Sequence, residues 1–245
     1  LDYKTNGAPI HVLEDINLDV REYEFVSLIG PSGCGKSTIV KLLSGVVVRP
    51  SSGTAMIRNS DVQSATKKKE VGVVFQRASL MPWRTVLSNV LLPLEISGNI
   101  SKESMTRAKE LLKFMGLAGF ENAYPHTLSG GMQQRVALAR ALAFDPKILL
   151  MDEPFGALDA ITRHKLAVEL LRIWTQFRKT VLFVTHDISE ALFLSDRVVV
   201  LSRRPAHVKQ IITVDLPRPR EVEMQETPKF LAWGREVRKL LEDAE

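Results

Sequence analysis

The sequence predicts an α/β fold: a mixed central sheet flanked by helices, with an antiparallel β portion and an inserted helical subdomain. Three observations predict it. Apolar runs at 25–29, 71–76, 148–151 and 181–184 have the near-continuous hydrophobicity of strands buried on both faces. Stretches with helical spacing alternate with them, as in layered α/β proteins. A long helical block, residues 85–125, stands between two of these strands with no strand signal of its own.

In chain order, residues 11–20 alternate loosely through Val12, Ile16, Leu18 and Val20. With the strand at 24–29 they read as a hairpin or as neighbouring strands. That strand ends at Gly30. Gly30-Pro31-Ser32-Gly33-Cys34-Gly35-Lys36-Ser37 then matches G-x-x-x-x-G-K-[ST] at every fixed position, and Thr38 to Leu43 reads as the start of a helix. Strand, loop and helix fall in the order of a phosphate-binding loop. Gly30, Gly33 and Gly35 lack a Cβ, so the backbone can wrap closely round a phosphate and aim N–H groups at it. The helix start adds unpaired N–H groups and the positive end of a dipole. Lys36 would reach the β- and γ-phosphates, and the Ser37 hydroxyl would sit on Mg²⁺. The plainer reading is a glycine-rich turn closed by a surface lysine, but chance rarely joins a strand, three spaced glycines, Lys-Ser and an apolar helix.

Residues 49–53 form a turn and 54–57 a short strand. After the strand at 71–76 comes Leu80-Met81-Pro82-Trp83, and Thr85 is placed to cap a helix over 86–92. Helical character runs over 85–125, with breaks at Pro93, Gly98 and Gly116, and Met105, Ala108, Leu111, Leu112 and Met115 share a face. Leu128-Ser129-Gly130-Gly131-Met132-Gln133-Gln134-Arg135 opens the next helix, with Ser129 as its cap and two glycines baring its entry. This is a second anion-facing helix start.

The strand at 148–151 ends at Asp152-Glu153, where open α/β sheets bind ligands. Asp152 fits a magnesium-holding acid, and Glu153 is available to polarise a water. Alone, such a pair equally caps a helix or solvates a turn. Asp159-Ala160 begins a long helix with Ala167, Leu170, Leu171, Trp174 and Phe177 on its core face. The strand at 181–184 stops at Thr185-His186-Asp187. Of five histidines, His186 is the one at a strand's carboxyl end, a place that structural histidines also take. A helix at 188–194 and strands at 197–201 and 208–214 follow. Pro217-Arg218-Pro219-Arg220 reads as an extended link to an amphipathic helix that packs Phe230, Trp233, Val237, Leu240 and Leu241 on the body; a membrane-lying helix would have a less mixed polar face.

Composition bounds the rest. With 245 residues and 45% hydrophobic content the chain can bury a sizeable core. No apolar run approaches the roughly 18 residues of a membrane span, so membrane work would need another chain. The chain opens at Leu1 with no charged-then-apolar leader in view, and no secretory signal is expected. The lone Cys34 excludes an internal disulfide and a cysteine-cluster metal site. A net charge of +5 is too mild for a nucleic-acid binder but compatible with an anionic ligand or membrane face.

Together these motifs resemble the nucleotide-binding subunit of an ATP-binding-cassette (ABC) transporter, a P-loop NTPase of ABC type, over nearly the whole chain. The run 128–135 is similar to that family's signature and stands in the family's order, after the phosphate loop and before Asp152-Glu153. Gln76 resembles the Q-loop glutamine, Ala157-Leu158-Asp159 the D-loop and His186 the switch histidine. Tyr3 sits roughly where the family keeps an aromatic that stacks on adenine. The resemblance implies an ATPase domain over 1–220, with a helical subdomain about 85–135, and a C-terminal helix over 221–245.

It also implies a head-to-tail dimer with a second nucleotide-binding subunit, the same chain or a close homologue. ATP would lie between Gly30, Ser32, Gly33, Cys34, Gly35, Lys36, Ser37 and Thr38 of one chain and Ser129, Gly130 and Gly131 of the other. Ser37, Gln76 and Asp152 would hold Mg²⁺. Lys36 would stabilise the phosphates, Glu153 act as general base, His186 contact the γ-phosphate and Asp159 communicate across the dimer. Residues 75–90 and 152–159 resemble importers of nitrate, bicarbonate, sulfonates and related small solutes. Permease subunits would then dock on residues 76–115, with Trp83 a contact candidate or a core residue. The chain would lie at the cytoplasmic face of the inner membrane, and a solute-binding protein would be an indirect partner. Two departures stand out: Tyr23 where relatives usually have glycine, and an apolar Val46-Val47-Val48, buried or in contact. The alternative is an ABC-type ATPase or nucleotide-binding regulatory module outside transport; intact Glu153 and His186 argue for turnover, and the short stretch between Gln76 and Ser129 leaves no room for the long coiled coil of DNA-repair relatives.

Overall fold

The computed structural model describes residues 1–3, 10–47 and 49–243, with the Tyr3 side chain outside the described set. Its centre is a six-stranded sheet of β3 (Phe25–Ile29), β6 (Val71–Val74), β7 (Ile148–Asp152), β8 (Thr180–Val184), β9 (Arg197–Leu201) and β10 (Val208–Thr213), in the order β10-β9-β3-β8-β7-β6. Only β10 runs antiparallel to its neighbour; β9, β3, β8, β7 and β6 are parallel. The antiparallel portion is completed by two small pairs, β1 (Asp2–Tyr3) with β2 (Ile10–His11), and β4 (Met56–Ile57) with β5 (Ser60–Asp61).

Strand alternation sorts the core into two layers. Phe25, Ile29, Leu149, Met151, Val181, Phe183, Val198 and Val200 face one cluster, whereas Val26, Leu28, Leu150, Leu182, Val184, Val199 and Leu201 face the other. The second layer is covered by α1 (Lys36–Leu43) and α2 (Val62–Lys67), through Ile39, Val40, Val62 and Ala65. The first takes α3 (Val86–Ile96), α4 (Lys102–Phe114), α5 (Gly130–Leu142), α6 (Ala160–Phe177), α7 (Ile188–Leu194) and α8 (Pro228–Glu242). Phe25 sits at its middle, edge-on to Trp174 at 6.2 Å and beside Phe183 at 5.8 Å. Trp174 is buried as a core residue, its Nε1 donating to the Lys179 carbonyl at 2.8 Å. On α8, Phe230 and Val237 are buried against the body.

Capping chemistry starts the helices where the sequence places it. Thr85, Ser101, Ser129, Asp159 and Asp187 each accept a backbone N–H from the first turn that follows.

Two expectations need correction. Residues 11–20 contain no strand beyond His11: Asp15 takes φ 46°, and Leu13 instead bridges Ala206, whose N–H donates to the Val12 carbonyl at 2.8 Å. Val12, Ile16, Leu18 and Val20 pack individually on the second cluster, which requires apolar side chains but no ladder. Pro93 does not break α3, which continues to Ile96 because Val90 and Leu91 before it and Leu94 after it are buried in one core. The loss of one helical hydrogen bond is outweighed by that burial. The link 217–220, outside any helix or strand, is tied to the body. Arg218 binds Asp196 at 2.7 Å, and buried Arg220 donates to the Phe193 carbonyl at 2.8 Å. The helix over 86–92 is therefore longer, and the tail more firmly tied, than the pattern alone indicates. In the apolar stretch after α1, Val46 is 65% exposed, which excludes burial there; Val48 lies outside the described residues. Tyr23 takes φ 63°, in the left-handed region that glycine favours, with its N–H on the Thr180 hydroxyl.

Helix α5 approaches the sheet at Gly72, where a Cβ would stand 2.8 Å from the Ala141 carbonyl oxygen and 3.0 Å from Pro146 Cγ. Gly72→Ala should therefore lower stability by about 1–3 kcal/mol, read as an earlier urea midpoint; an unchanged midpoint would mean that α5 rides loosely on β6. A second prediction concerns Glu190, buried on α7. One carboxylate oxygen accepts the Thr185 hydroxyl and the other is buried with no hydrogen-bond partner. Burial pushes this acid up from 4.5 to about 7, helped by the charges of Asp187 and Glu153 against the Thr185 bond and Arg163. The folded chain thus holds the proton more tightly than the unfolded one. The destabilisation is absent below pH 4.5, grows as pH rises and is complete above about 7, reaching on the order of 3 kcal/mol. Glu190→Gln should remove that downward slope in urea unfolding between pH 5 and 8, whereas parallel profiles for both proteins would show an acid ionised throughout.

Candidate nucleotide site

The carboxyl ends of β3, β7 and β8 lie in register, Leu28 beside Val184 and Val184 beside Asp152. Their outgoing loops therefore share one edge of the sheet. The loop after β3 opens into a cleft of about 570 Å³ that Ser32, Gly33, Gly35, Lys36, Ser37, Thr38, Gln76, Asp152 and Glu153 line together. Residues far apart in sequence are thus brought to one place.

Lys36 is 5% exposed, its Nζ donating to the Gly30 and Pro31 carbonyls at 2.8 and 3.0 Å. The ammonium is held inside its own loop. Two of the loop glycines also answer to packing. A Cβ on Gly30 would press on Leu201 at 3.1 Å, and one on Gly35, at φ 126°, on Leu13 Cδ2 at 2.7 Å. These two are required by packing of the loop on its own protein, while Gly33, at φ 72°, has open space around it. Cys34 is buried in the second core cluster as a small filler. Helix α1 begins at Lys36, so the amides of Lys36 and Ser37 have no intrahelical acceptor, while the Thr38 N–H donates to the Gly35 carbonyl at 2.9 Å.

Ser37 Oγ donates to Asp152 Oδ1 at 2.9 Å. Burial raises the Asp152 pKa, against the Ser37 bond, and the neighbouring Glu153 raises it further. A carboxylate so placed gains from a nearby cation. Glu153 takes φ 46°, its N–H on the Val184 carbonyl, and its Oε2 stands 3.2 Å from His186 Nδ1. Backbone in this sparsely populated region is common where function fixes the conformation. A Cβ on Gly156 would lie 3.2 Å from Gln76 Nε2 and 3.3 Å from Glu153 Oε2, so both side chains converge on that glycine.

For a metal, the hydroxyl of Ser37, the carboxylate of Asp152 and the amide oxygen of Gln76 are the hard oxygen donors that suit Mg²⁺. No group of three or more His, Cys, Asp or Glu able to hold a metal occurs among the described residues. Magnesium commonly takes only one or two carboxylates, with phosphate oxygens and water completing its shell.

Other candidates lie elsewhere. Ser129 and Gly130 are exposed at the start of α5, and Asp159 is exposed at the start of α6. A Cβ on Gly130 would be 3.2 Å from Leu158 Cδ2, which joins Ser129 and Gly130 to residues 157–159 in one surface patch; Gly131 is buried behind it, and none of them lines the cleft. Hydrogen bonds from the Thr162 N–H hold the Asp159 pKa below its usual value. The stacking expected of Tyr3 falls on a side chain outside the described residues. Sequence reasoning missed Lys41, Val12 and Arg204 in the cleft wall. Lys41 is one helical turn from Ser37 and could have been found by spacing; Arg204 arrives only through the Leu13–Ala206 bridge. It also missed Gln134, whose Nε2 bonds the carbonyls of Phe75, Gln76 and Pro154. Away from the cleft, Trp83 is 72% exposed and lines a groove with Met81, Arg84, Leu92 and Tyr124, which excludes the core reading. Buried Asn89 fixes that loop through Met81, Arg84 and Thr85.

Comparison with known proteins agrees with these features. The profile of the ABC transporter family matches residues 13–156. An uncharacterised ABC transporter ATP-binding protein of Methanocaldococcus jannaschii is 48% identical over 241 residues, 98% of this chain and 88% of that one. The nitrate import ATP-binding protein NrtC of Synechococcus elongatus is 47% identical over 91% of this chain and 34% of its own length. An aliphatic sulfonates import ATP-binding protein of Bacillus cereus is 45% identical over 89% of this chain and 84% of its own. The dimeric structure of the bacterial ABC transporter cassette MJ0796 superposes with a TM-score of 0.76 at 38% identity, over 88% of this chain and 96% of that one. With a fold, a phosphate loop and a sheet-edge acid pair in agreement, the chain belongs to the ABC transporter family, as an ATP-binding subunit of its ATPase type.

Proposed function

We propose that this chain hydrolyses ATP to energise an importer of a small solute, an anion such as nitrate, bicarbonate or a sulfonate. The observation that carries the hydrolytic part is the Glu153 carboxylate 3.2 Å from His186 Nδ1, in the cleft that also holds Lys36 and the Ser37–Asp152 pair. A nucleotide-binding module without turnover has no need of that pair. The anion class is supported by relatives named for nitrate and aliphatic sulfonate import.

In this reading Lys36 and the amides at the start of α1 bind the phosphates, and the Tyr3 ring stacks on the adenine. Ser37, Gln76 and Asp152 hold Mg²⁺, which neutralises phosphate charge when bound. Glu153 takes the proton of the attacking water at its carboxylate, and His186 orients that water and the γ-phosphate. Ser129 and Gly130 are exposed outside their own cleft, so with Gly131 behind them they serve the nucleotide of a second subunit packed head to tail, with Asp159 at the contact. Dimeric cassettes among the structural relatives support this arrangement. The Trp83 groove accepts a permease segment, within a helical subdomain of about 85–135 in an ATPase domain of 1–220, while 221–245 packs on the body. Among the described residues no helix is long and apolar enough to cross a membrane, so the permease supplies the span and this chain sits on its cytoplasmic face.

Glu153→Gln tests the reading. Steady-state hydrolysis should fall by about 10²–10⁴-fold, while Mg-ATP should drive the variant into dimers that persist on size-exclusion chromatography. Tight ATP binding with no dimer and unchanged hydrolysis would sink the mechanism in favour of the non-transport module.

A further inference from the structure

Arg163 occupies the first turn of α6, where the helix dipole disfavours a cation. Its Nε is buried without a hydrogen-bond partner. Two contacts offset this cost. Nη2 donates to the Leu158 carbonyl at 3.1 Å, and Nη1 lies 3.4 Å from Asp187 Oδ2. Leu158 precedes Asp159 and its side chain lies against Gly130, at the exposed start of α5. Asp187 follows His186, which faces Glu153. One planar guanidinium therefore spans the loop beside the signature patch and the loop that carries the histidine.

We propose that Arg163 is a positioning residue that couples the two nucleotide sites of the assembled dimer, by tying Leu158 and Asp159 to the His186–Glu153 pair. The inference rests on the head-to-tail reading above. In that assembly the 129–131 patch meets the partner's nucleotide, whereas Glu153 and His186 act on the chain's own. A shift of Leu158 when the partner's site fills is passed through the fork of Arg163 to Asp187, and so to His186. Arginine suits the task because its donors diverge from one rigid plane; a lysine ammonium is a single point.

The test measures hydrolysis against ATP concentration, ATP affinity of the monomer and urea stability for the native protein, Arg163→Ala, Arg163→Lys and Asp187→Asn. Asparagine still caps α7 but carries no charge for Arg163. Native protein should show a Hill coefficient above one. Arg163→Ala should lose about tenfold in kcat and fall to a Hill coefficient of about one, with ATP affinity unchanged within about twofold. Asp187→Asn should behave alike, and Arg163→Lys should recover part of kcat without cooperativity. Cooperative hydrolysis retained in both Arg163→Ala and Asp187→Asn would overturn the coupling. If Arg163→Ala loses stability and ATP binding together while Asp187→Asn stays cooperative, Arg163 is a structural clamp and the proposal falls. Native protein that forms no ATP-dependent dimer and responds hyperbolically would remove the shared-site reading itself, and the coupling with it.

Discussion

The site depends on the register of three parallel strands. Leu28, Val184 and Asp152 stand side by side across β3, β8 and β7. The ladder continues past the strand ends, with the Thr185 N–H on the Leu28 carbonyl at 3.2 Å and the Glu153 N–H on the Val184 carbonyl at 2.9 Å. Gly30, Glu153 and Thr185 thus leave the sheet at one height, and the loop, the acid pair and the histidine arrive together. A slip of one residue in any strand would turn its apolar side chains to the wrong layer. Burial of both faces therefore fixes the geometry of the cleft as well as the stability of the sheet.

Outside the strands, buried amides hold loops that hydrophobic packing alone leaves free to shift. Gln134 ties the segment after β6 to the segment after β7, and Asn89 does the same for the turn that displays Trp83. Each side chain satisfies several carbonyls at once, so neither loop can move without leaving polar groups unpaired in the interior. Because Gln134 belongs to α5, the helix that begins at Ser129 is hydrogen-bonded directly to the backbone of Gln76.

Much of this was legible in the sequence, and the misses have a common cause. The strand at 25–29, the helix at 188–194 and the caps Thr85, Ser129 and Asp159 came from local pattern, and local forces decide them. The cleft residues Lys36, Ser37, Gln76, Asp152 and Glu153 were found from motif and strand end, and the structure gathers them. What failed depended on contacts distant in sequence. Alternation at 11–20 signalled half-burial and was taken for a ladder, yet the partner is Ala206. Pro93 signalled a break, yet burial on both sides overrides it. At Gly30 and Gly35 the motif gives no sign of a further constraint, that Leu201 and Leu13 exclude a larger residue there. Arg204 and Gln134 carried no local signal that set them apart.

Four of the local conflicts in this chain lie near one another, between the cleft and the start of α6. Glu153 adopts a left-handed backbone, Asp152 is buried beside a second acid, Arg163 sits at the positive end of a helix, and Glu190 keeps a carboxylate oxygen without a partner. Each is unfavourable on its own terms. Other conflicts, such as the left-handed Asp15 and Tyr23, lie elsewhere, while the caps and strand faces agree with the fold. A carboxylate that activates water, the role proposed here for Glu153, must be fixed in place and yet, in the proposed dimer, respond to a neighbouring subunit. A segment held by a few polar contacts at the edge of a rigid sheet meets both requirements, because it can exchange one set of hydrogen bonds for another while the strands beneath it stay in register.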